Sequence, residues 1–183
     1  LYPLLSDGKM MSEFYWRHKA MLRNGEVNAT YNDDAIYTSD VVVFKDDSRM
    51  QMLPESQRMS LDVITIAAPN LRPNPNNKWN PEPSKAIAVK PMELLAIHKK
   101  RAKRLFSIAK ENGAEVLILG AFGCGAFQNP PEVVARAYKE VLAEFEYDFD
   151  TVEFAVYCPK RDQTVNPSGN NYAVFKRVLG NRK

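Results

Sequence analysis

The sequence predicts an α/β layered domain with a mixed, largely parallel central sheet. Short apolar, β-branched runs at residues 61–68, 115–119 and 152–157 alternate with stretches of helical spacing. That order is the pattern of parallel strands joined by crossover helices. The stretch GAFGCGAFQNPP, residues 120–131, follows the second run directly and precedes a helical pattern. Ligands in layered domains of this class bind where strands end and helices begin.

The elements follow in order. Met11, Phe14, Tyr15, His18 and Met21/Leu22 repeat at helical spacing after a cap-like Ser6-Asp7-Gly8 start, so residues 9–22 are expected to be a helix. Ile36-Tyr37 and Val41 to Phe44 read as extended, closed by an Asp46-Asp47-Ser48 turn; residues 49–60 carry no clear pattern. Residues 61–68 read as a buried strand stopped by Pro69. The proline- and asparagine-rich residues 71–90 suit neither helix nor central strand and are expected to be a long ordered loop or lid. Leu94, His98, Ala102, Leu105 and Ala109 mark a long amphipathic helix closed by Gly113, and residues 115–119 form the next strand. Val133/Val134, Ala137/Tyr138, Val141/Leu142 and Phe145 mark a further helix, residues 152–157 a third buried strand, and residues 170–179 a final helix ended by Gly180.

A chain of 183 residues fits one domain, residues 1–183. Hydrophobic residues at 45% and charged residues at 26% place it among soluble globular proteins, and no apolar run approaches the ~20 residues needed to span a bilayer. No membrane association is expected. A net charge of +3 is too small to argue direct nucleic-acid binding, and the cluster of residues 99–104 reads as the solvated face of a helix. Two cysteines, Cys124 and Cys158, build no disulfide framework and no zinc spacing, which points to a cytoplasmic location without a metal or other cofactor. The opening LYPLLSDGKM has neither an initiator methionine nor a signal-peptide pattern, so further sequence is expected upstream.

Glycine uncovers backbone N–H groups and tolerates positive φ, so Gly120, Gly123 and Gly125 permit a tight loop whose amides converge on an anion. Asn129 is expected as N-cap and Pro130 at the first helical position, bringing the positive end of a helix dipole to the same point. A phosphate or pyrophosphate is the natural guest, although Glu132 in the first turn supplies a competing carboxylate. Phe122 is expected to pack beneath the loop; Phe127 either packs or faces a ribose or base. The spacing matches neither the dinucleotide fingerprint nor the P-loop. Cys124 invites a nucleophile reading, but His18 and His98 both fall in helical stripes, which favours a small residue filling tight space.

These residues resemble the microbial-type poly(ADP-ribose) glycohydrolases of the macrodomain superfamily. The resemblance is carried by IYTSDVVVFKDD at 36–47, VITIAAPN at 63–70, FAVYCP at 154–159 and, most specifically, LILGAFGCGAFQNPP at 117–131. It implies a three-layer α/β/α macrodomain-like fold. It also implies a substrate-binding loop of Gly120, Ala121, Phe122, Gly123, Cys124, Gly125, Ala126 and Phe127 around the diphosphate of ADP-ribose. Ala68, Pro69 and Asn70 would border that cleft, and ADP-ribose or ADP-ribosylated protein would be the partner.

Catalysis in that family rests on an upstream triple-glycine loop and Gln-Glu-Glu helix, and neither motif is in this sequence. Glycosidic cleavage needs an acid for the leaving hydroxyl and an activated water. No residue of this chain is assigned as catalytic: Glu93, Glu111, Glu132, Glu140 and Glu144 fall on helical patterns where solvated surface is expected. The resemblance therefore implies an ADP-ribose-binding macrodomain whose parent hydrolyses ADP-ribosyl glycosidic bonds once an upstream catalytic segment is present. The alternative is a non-catalytic reader of ADP-ribose or a related nucleotide.

Overall fold

The computed structural model describes residues 11–74 and 86–180. The cap-like start at 6–8 and the middle of the expected lid, 75–85, lie outside the described residues. A wide helical turn, Met11–Trp16, runs into α1, Arg17–Arg23. There follow β1, Ala35–Val43, and β2, Met59–Ile66, then α2, Pro91–Glu111, and β3, Val116–Leu119. The chain continues through α3, Pro131–Leu142, β4, Thr151–Phe154, α4, Lys160–Val165, and α5, Asn171–Leu179.

The α/β class is as expected; the sheet is less parallel than expected. β3 and β4 pair in parallel with Leu119 opposite Phe154, and α3 makes the crossover that a parallel pair requires. β1 and β2 pair antiparallel, with Ala35 opposite Ile66 and Val43 opposite Met59. No helix crosses between them; residues 44–58 form the far end of a long hairpin, closed by a bridge between Lys45 and Met52 and a short turn at Glu55–Gln57. Residues 49–60, unpatterned in the sequence, are this returning arm. No ladder joins β2 to β3 among the described residues, and a crevice of about 580 Å³ lies between Leu61–Ile64 and Val116–Leu119.

One core sits on one side of the strands. Ala102, Leu105, Phe106 and Ala109 of α2 meet Val134, Ala135, Tyr138 and Val141 of α3, Phe175 of α5, and Leu117 and Leu119 of β3. Phe106 is completely buried, stacked on Phe145 at 5.3 Å and edge-on to Tyr138. Burying such a ring contributes on the order of 2–3 kcal/mol, so α2 and α3 are fixed before any loop is considered. The alternation of β3 sends Val116 and Ile118 to the opposite face, where both are exposed.

Two expected strands are less buried than their composition suggested. β2 starts with Met59 and Leu61 exposed and becomes half-buried only from Val63, because its first half belongs to the projecting hairpin. β4 ends at Phe154 and half-buries alternate residues only, leaving Tyr157 exposed beyond it. The basic cluster is not uniformly solvated either. Lys99, Lys100 and Lys103 pair with Glu140, Asp33 and Glu144, whereas Arg101 is 2% exposed and held by Asp33 and the Thr30 carbonyl. Six consecutive residues make nearly two turns of helix and so circle its whole surface, which puts Arg101 on the face packed against the rest of the chain.

Candidate functional site

β3 delivers the glycine loop to the carboxyl end of the parallel pair. The loop begins where Leu119 accepts from Ala155 N across to β4 at 2.7 Å, and Gly120 lies beside the Ala155 carbonyl. Two tight turns follow, closed by Phe122 N to the Gly120 carbonyl at 2.9 Å and Cys124 N to the Ala121 carbonyl at 3.0 Å. The loop returns through Gln128 N to Gly125 O and Asn129 N to Gly123 O. Gly123 sits at φ +71°, the left-handed region glycine enters freely.

Six loop amides remain unclaimed among the described residues: the N–H groups of Gly120, Ala121, Gly123, Gly125, Ala126 and Phe127 have no protein acceptor, whereas those of Phe122, Cys124, Gln128 and Asn129 do. Gly125 and Ala126 are exposed, and a Cβ added at Gly125 would meet nothing within 4 Å. Open space and unsatisfied donors therefore coincide at one bend. Uncovered backbone donors at a bend of this kind can accept an anion.

The helix behind it contributes less than the sequence suggested. Pro130, not Asn129, is the N-cap of α3, and Pro131 is its first residue, so two of the first positions have no N–H to offer. Glu132 does not turn into the loop; its carboxylate pairs with Arg177 of α5. The dipole of α3 still points its positive end at the loop.

Asn129 has a different task. It is 2% exposed, and its Nδ2 donates to the Pro69 carbonyl at 2.7 Å and the Gly123 carbonyl at 3.0 Å, while its Oδ1 meets His98 Nε2 at 2.9 Å. The loop is thereby tied to the Ala68-Pro69-Asn70 segment and to α2. All three residues of that segment are buried, and Leu71 N donates to the Phe127 carbonyl at 3.0 Å. The structure thus brings the two expected groups, 68–70 and 120–127, into one place.

The aromatic residues divide as follows. Phe122 packs inward against the core and stands edge-on to His98 at 5.9 Å, as expected. Phe127 remains half-buried, 6.3 Å from Tyr31 and 5.7 Å beneath the guanidinium of Arg72. Asn70 joins this group, donating to Tyr31 Oη at 3.4 Å and accepting from Arg72 Nε at 3.1 Å. Tyr31, Arg72 and His98 were missed in the sequence. Only His98 left a signal there: a polar ring in an apolar stripe needs a buried partner.

Cys124 lacks the setting of an activated nucleophile. Burial pushes its thiol up to about 12, so no useful thiolate forms near neutrality. Burial also lowers the pKa of His98 below its ordinary value, partly offset by the Asn129 hydrogen bond. His98 is therefore neutral, and because Asn129 Oδ1 can only accept, Nε2 carries the proton. No cluster of metal-ligating side chains occurs among the described residues, and no helix among them is long and apolar enough to cross a membrane.

A cavity of about 870 Å³ lies past the end of β4. It is lined by Val156, Tyr157, Cys158, Asn170, Tyr172 and Lys176, among others. It continues the same carboxyl edge of the parallel pair.

No protein-family model and no curated protein matches the sequence. Solved structures do. The poly(ADP-ribose) glycohydrolase of Deinococcus radiodurans in complex with ADP-ribose is 27% identical with a TM-score of 0.71, over 96% of this chain and 62% of that one. The apo form of that enzyme gives 28% and 0.69. The poly(ADP-ribose) glycohydrolase of Thermomonospora curvata bound to the inhibitor ADP-HPD gives 28% and 0.70, over 92% of this chain and 56% of that one. The chain thus spans about three-fifths of the length of the first structures it matches. In fold as in motif, the chain resembles the microbial-type poly(ADP-ribose) glycohydrolases.

Proposed function

We propose that this chain is the ADP-ribose-binding macrodomain of a poly(ADP-ribose) glycohydrolase-like hydrolase, with residues 120–127 holding the diphosphate. The observation that carries the reading is the set of unclaimed amides at Gly123, Gly125, Ala126 and Phe127 beside open space. Backbone donors of this kind suit a pyrophosphate because they offer several hydrogen bonds without a desolvated side-chain charge. Ala68, Pro69 and Asn70 form the wall behind the loop. Past the end of β4, the Tyr157 and Tyr172 rings of the neighbouring cavity are the candidates to stack on a base.

Hydrolysis needs an acid that the loop itself does not supply, since Glu132 is engaged by Arg177 and no other loop residue is acidic. The proposal assigns that acid to an upstream segment, as the resemblance implies. ADP-ribosylated protein is then the macromolecular substrate, and a reducing cytoplasm the location, consistent with two unpaired cysteines. The absence of an acidic residue from the loop also favours a second reading, a reader of ADP-ribose without turnover.

Calorimetry with ADP-ribose on the chain joined to its upstream sequence tests the binding claim; no heat at millimolar ligand overturns it. Release of ADP-ribose from a poly(ADP-ribosyl)ated protein separates the hydrolase from the reader. Binding without release selects the reader.

A further inference from the structure

We propose that Asn129 and His98 are a positioning pair that sets the unclaimed loop amides in place, so that a residue on α2 with no contact to ligand controls affinity at the loop. The proposal rests on the reading of residues 120–127 as a diphosphate site, and deepens it by naming what holds that site in its binding shape.

Three features place the pair. The first is Asn129 itself, a buried amide with every strong contact directed at a different segment: Pro69 after β2, Gly123 within the loop and His98 on α2. Buried amides are retained only when satisfied, and here satisfaction requires all three segments at once. The second is the packing at Gly123. A Cβ there would lie 2.6 Å from Asn129 Nδ2 and 2.6 Å from the Ala68 Cβ, so the loop backbone rests directly on the amide. Any shift of Asn129 moves the bend that carries the free N–H groups.

The third is direction. Two carbonyls, of Pro69 and Gly123, fix Nδ2 as the donor end, which leaves Oδ1 to accept from His98. The imidazole must present Nε2–H, and Phe122 holds the ring edge-on from the loop side. His98 therefore selects the amide orientation that keeps Nδ2 pointing at the loop. If that orientation were reversed, Oδ1 would face two carbonyl oxygens and the loop would be pushed away.

The test uses the full chain with its upstream sequence, and four variants. Asn129→Asp keeps the shape and the acceptor for His98 but removes the Nδ2 donor to the Pro69 and Gly123 carbonyls. His98→Leu removes the donor to Asn129, His98→Gln restores one, and Asn129→Ala removes the hub. Removing such buried hydrogen bonds is expected to weaken ADP-ribose binding by about tenfold or more for Asn129→Asp and His98→Leu, with His98→Gln within about threefold of the parent. A merely structural role would not give this order once melting curves show the glutamine and leucine variants equally folded. Where His98→Leu does not fold, the comparison of Asn129→Asp with His98→Gln decides.

Nitrogen NMR of the ligand-free protein reads the pair independently of any ligand. A neutral His98 protonated on Nε2, and loop signals from Gly123 to Phe127 that shift in Asn129→Asp, are the expected results. A proton on Nδ1, or unshifted loop signals with unchanged affinity, overturns the proposal. Failure of the parent protein to bind ADP-ribose with these NMR results intact removes the diphosphate reading and leaves the pair as the loop's anchor.

Discussion

Gly123 and Ala68 approach so closely that a single carbon added to the glycine would sit 2.6 Å from the Ala68 Cβ. The glycine at the centre of the loop is thus required for packing between two chain segments. Gly123→Ala meets both this clash and a φ of +71° that L-residues adopt at a cost. It is expected to lower stability by about 2–3 kcal/mol, measured by urea denaturation; a change under ~0.5 kcal/mol contradicts the packing described.

Gly125 is the opposite case. Its Cβ direction is empty and its φ is not in the left-handed region, so Gly125→Val leaves the fold intact and puts a branched side chain where the anion is proposed to lie. Melting temperature should hold while ADP-ribose affinity falls by at least about tenfold, the counterpart of ~1.4 kcal/mol. Equal affinity in calorimetry rejects the anion position.

Stability should decline on mild acidification. Burial is the main cause that lowers the pKa of both His98 and His18 below 6.5 in the folded chain. Above pH 6.5 folded and unfolded states are both neutral at these residues, and their full contribution is present. Below it the unfolded chain takes up protons that the folded chain refuses, so stability is lost as pH falls from 6.5 toward the folded pKa values. Denaturation at pH 7.5, 6.5 and 5.5 should show the fall, and His98→Gln should make it shallower; a flat profile refutes burial of the two rings.

Asp33 and Arg101 provide a contrast between buried and exposed charge. Burial works against the Asp33 carboxylate, but hydrogen bonds from Lys100 and Arg101 outweigh it and hold its pKa below the usual range. Asp33→Asn leaves the nearly inaccessible Arg101 guanidinium without its counter-ion and is expected to cost about 3 kcal/mol. Lys100→Ala removes the exposed partner of the same carboxylate and should cost less than ~0.5 kcal/mol. Comparable losses in chemical denaturation would show that Arg101 is not buried as described.

Much of this was legible in the sequence because local rules decide it. The apolar stripe of Leu94, His98, Ala102, Leu105 and Ala109 specifies α2, and a short continuous apolar run specifies β3, whatever surrounds them. A glycine run after a strand specifies a bend with uncovered amides. The same rules misassigned Asn129 as a cap: propensity describes the favoured local bond, whereas this side chain gains three bonds to segments up to 60 residues away.

Sequence by itself determined the α/β class, helices α2, α3 and α5 and the loop's place after β3, since each depends on neighbours within one or two turns of chain. Tertiary structure alone decided that β1 and β2 run antiparallel, that Arg101 and His98 lie buried, and which loop amides stay free. Those outcomes depend on which distant segment supplies an acceptor, a counter-ion or a wall, and no spacing along the chain encodes that choice.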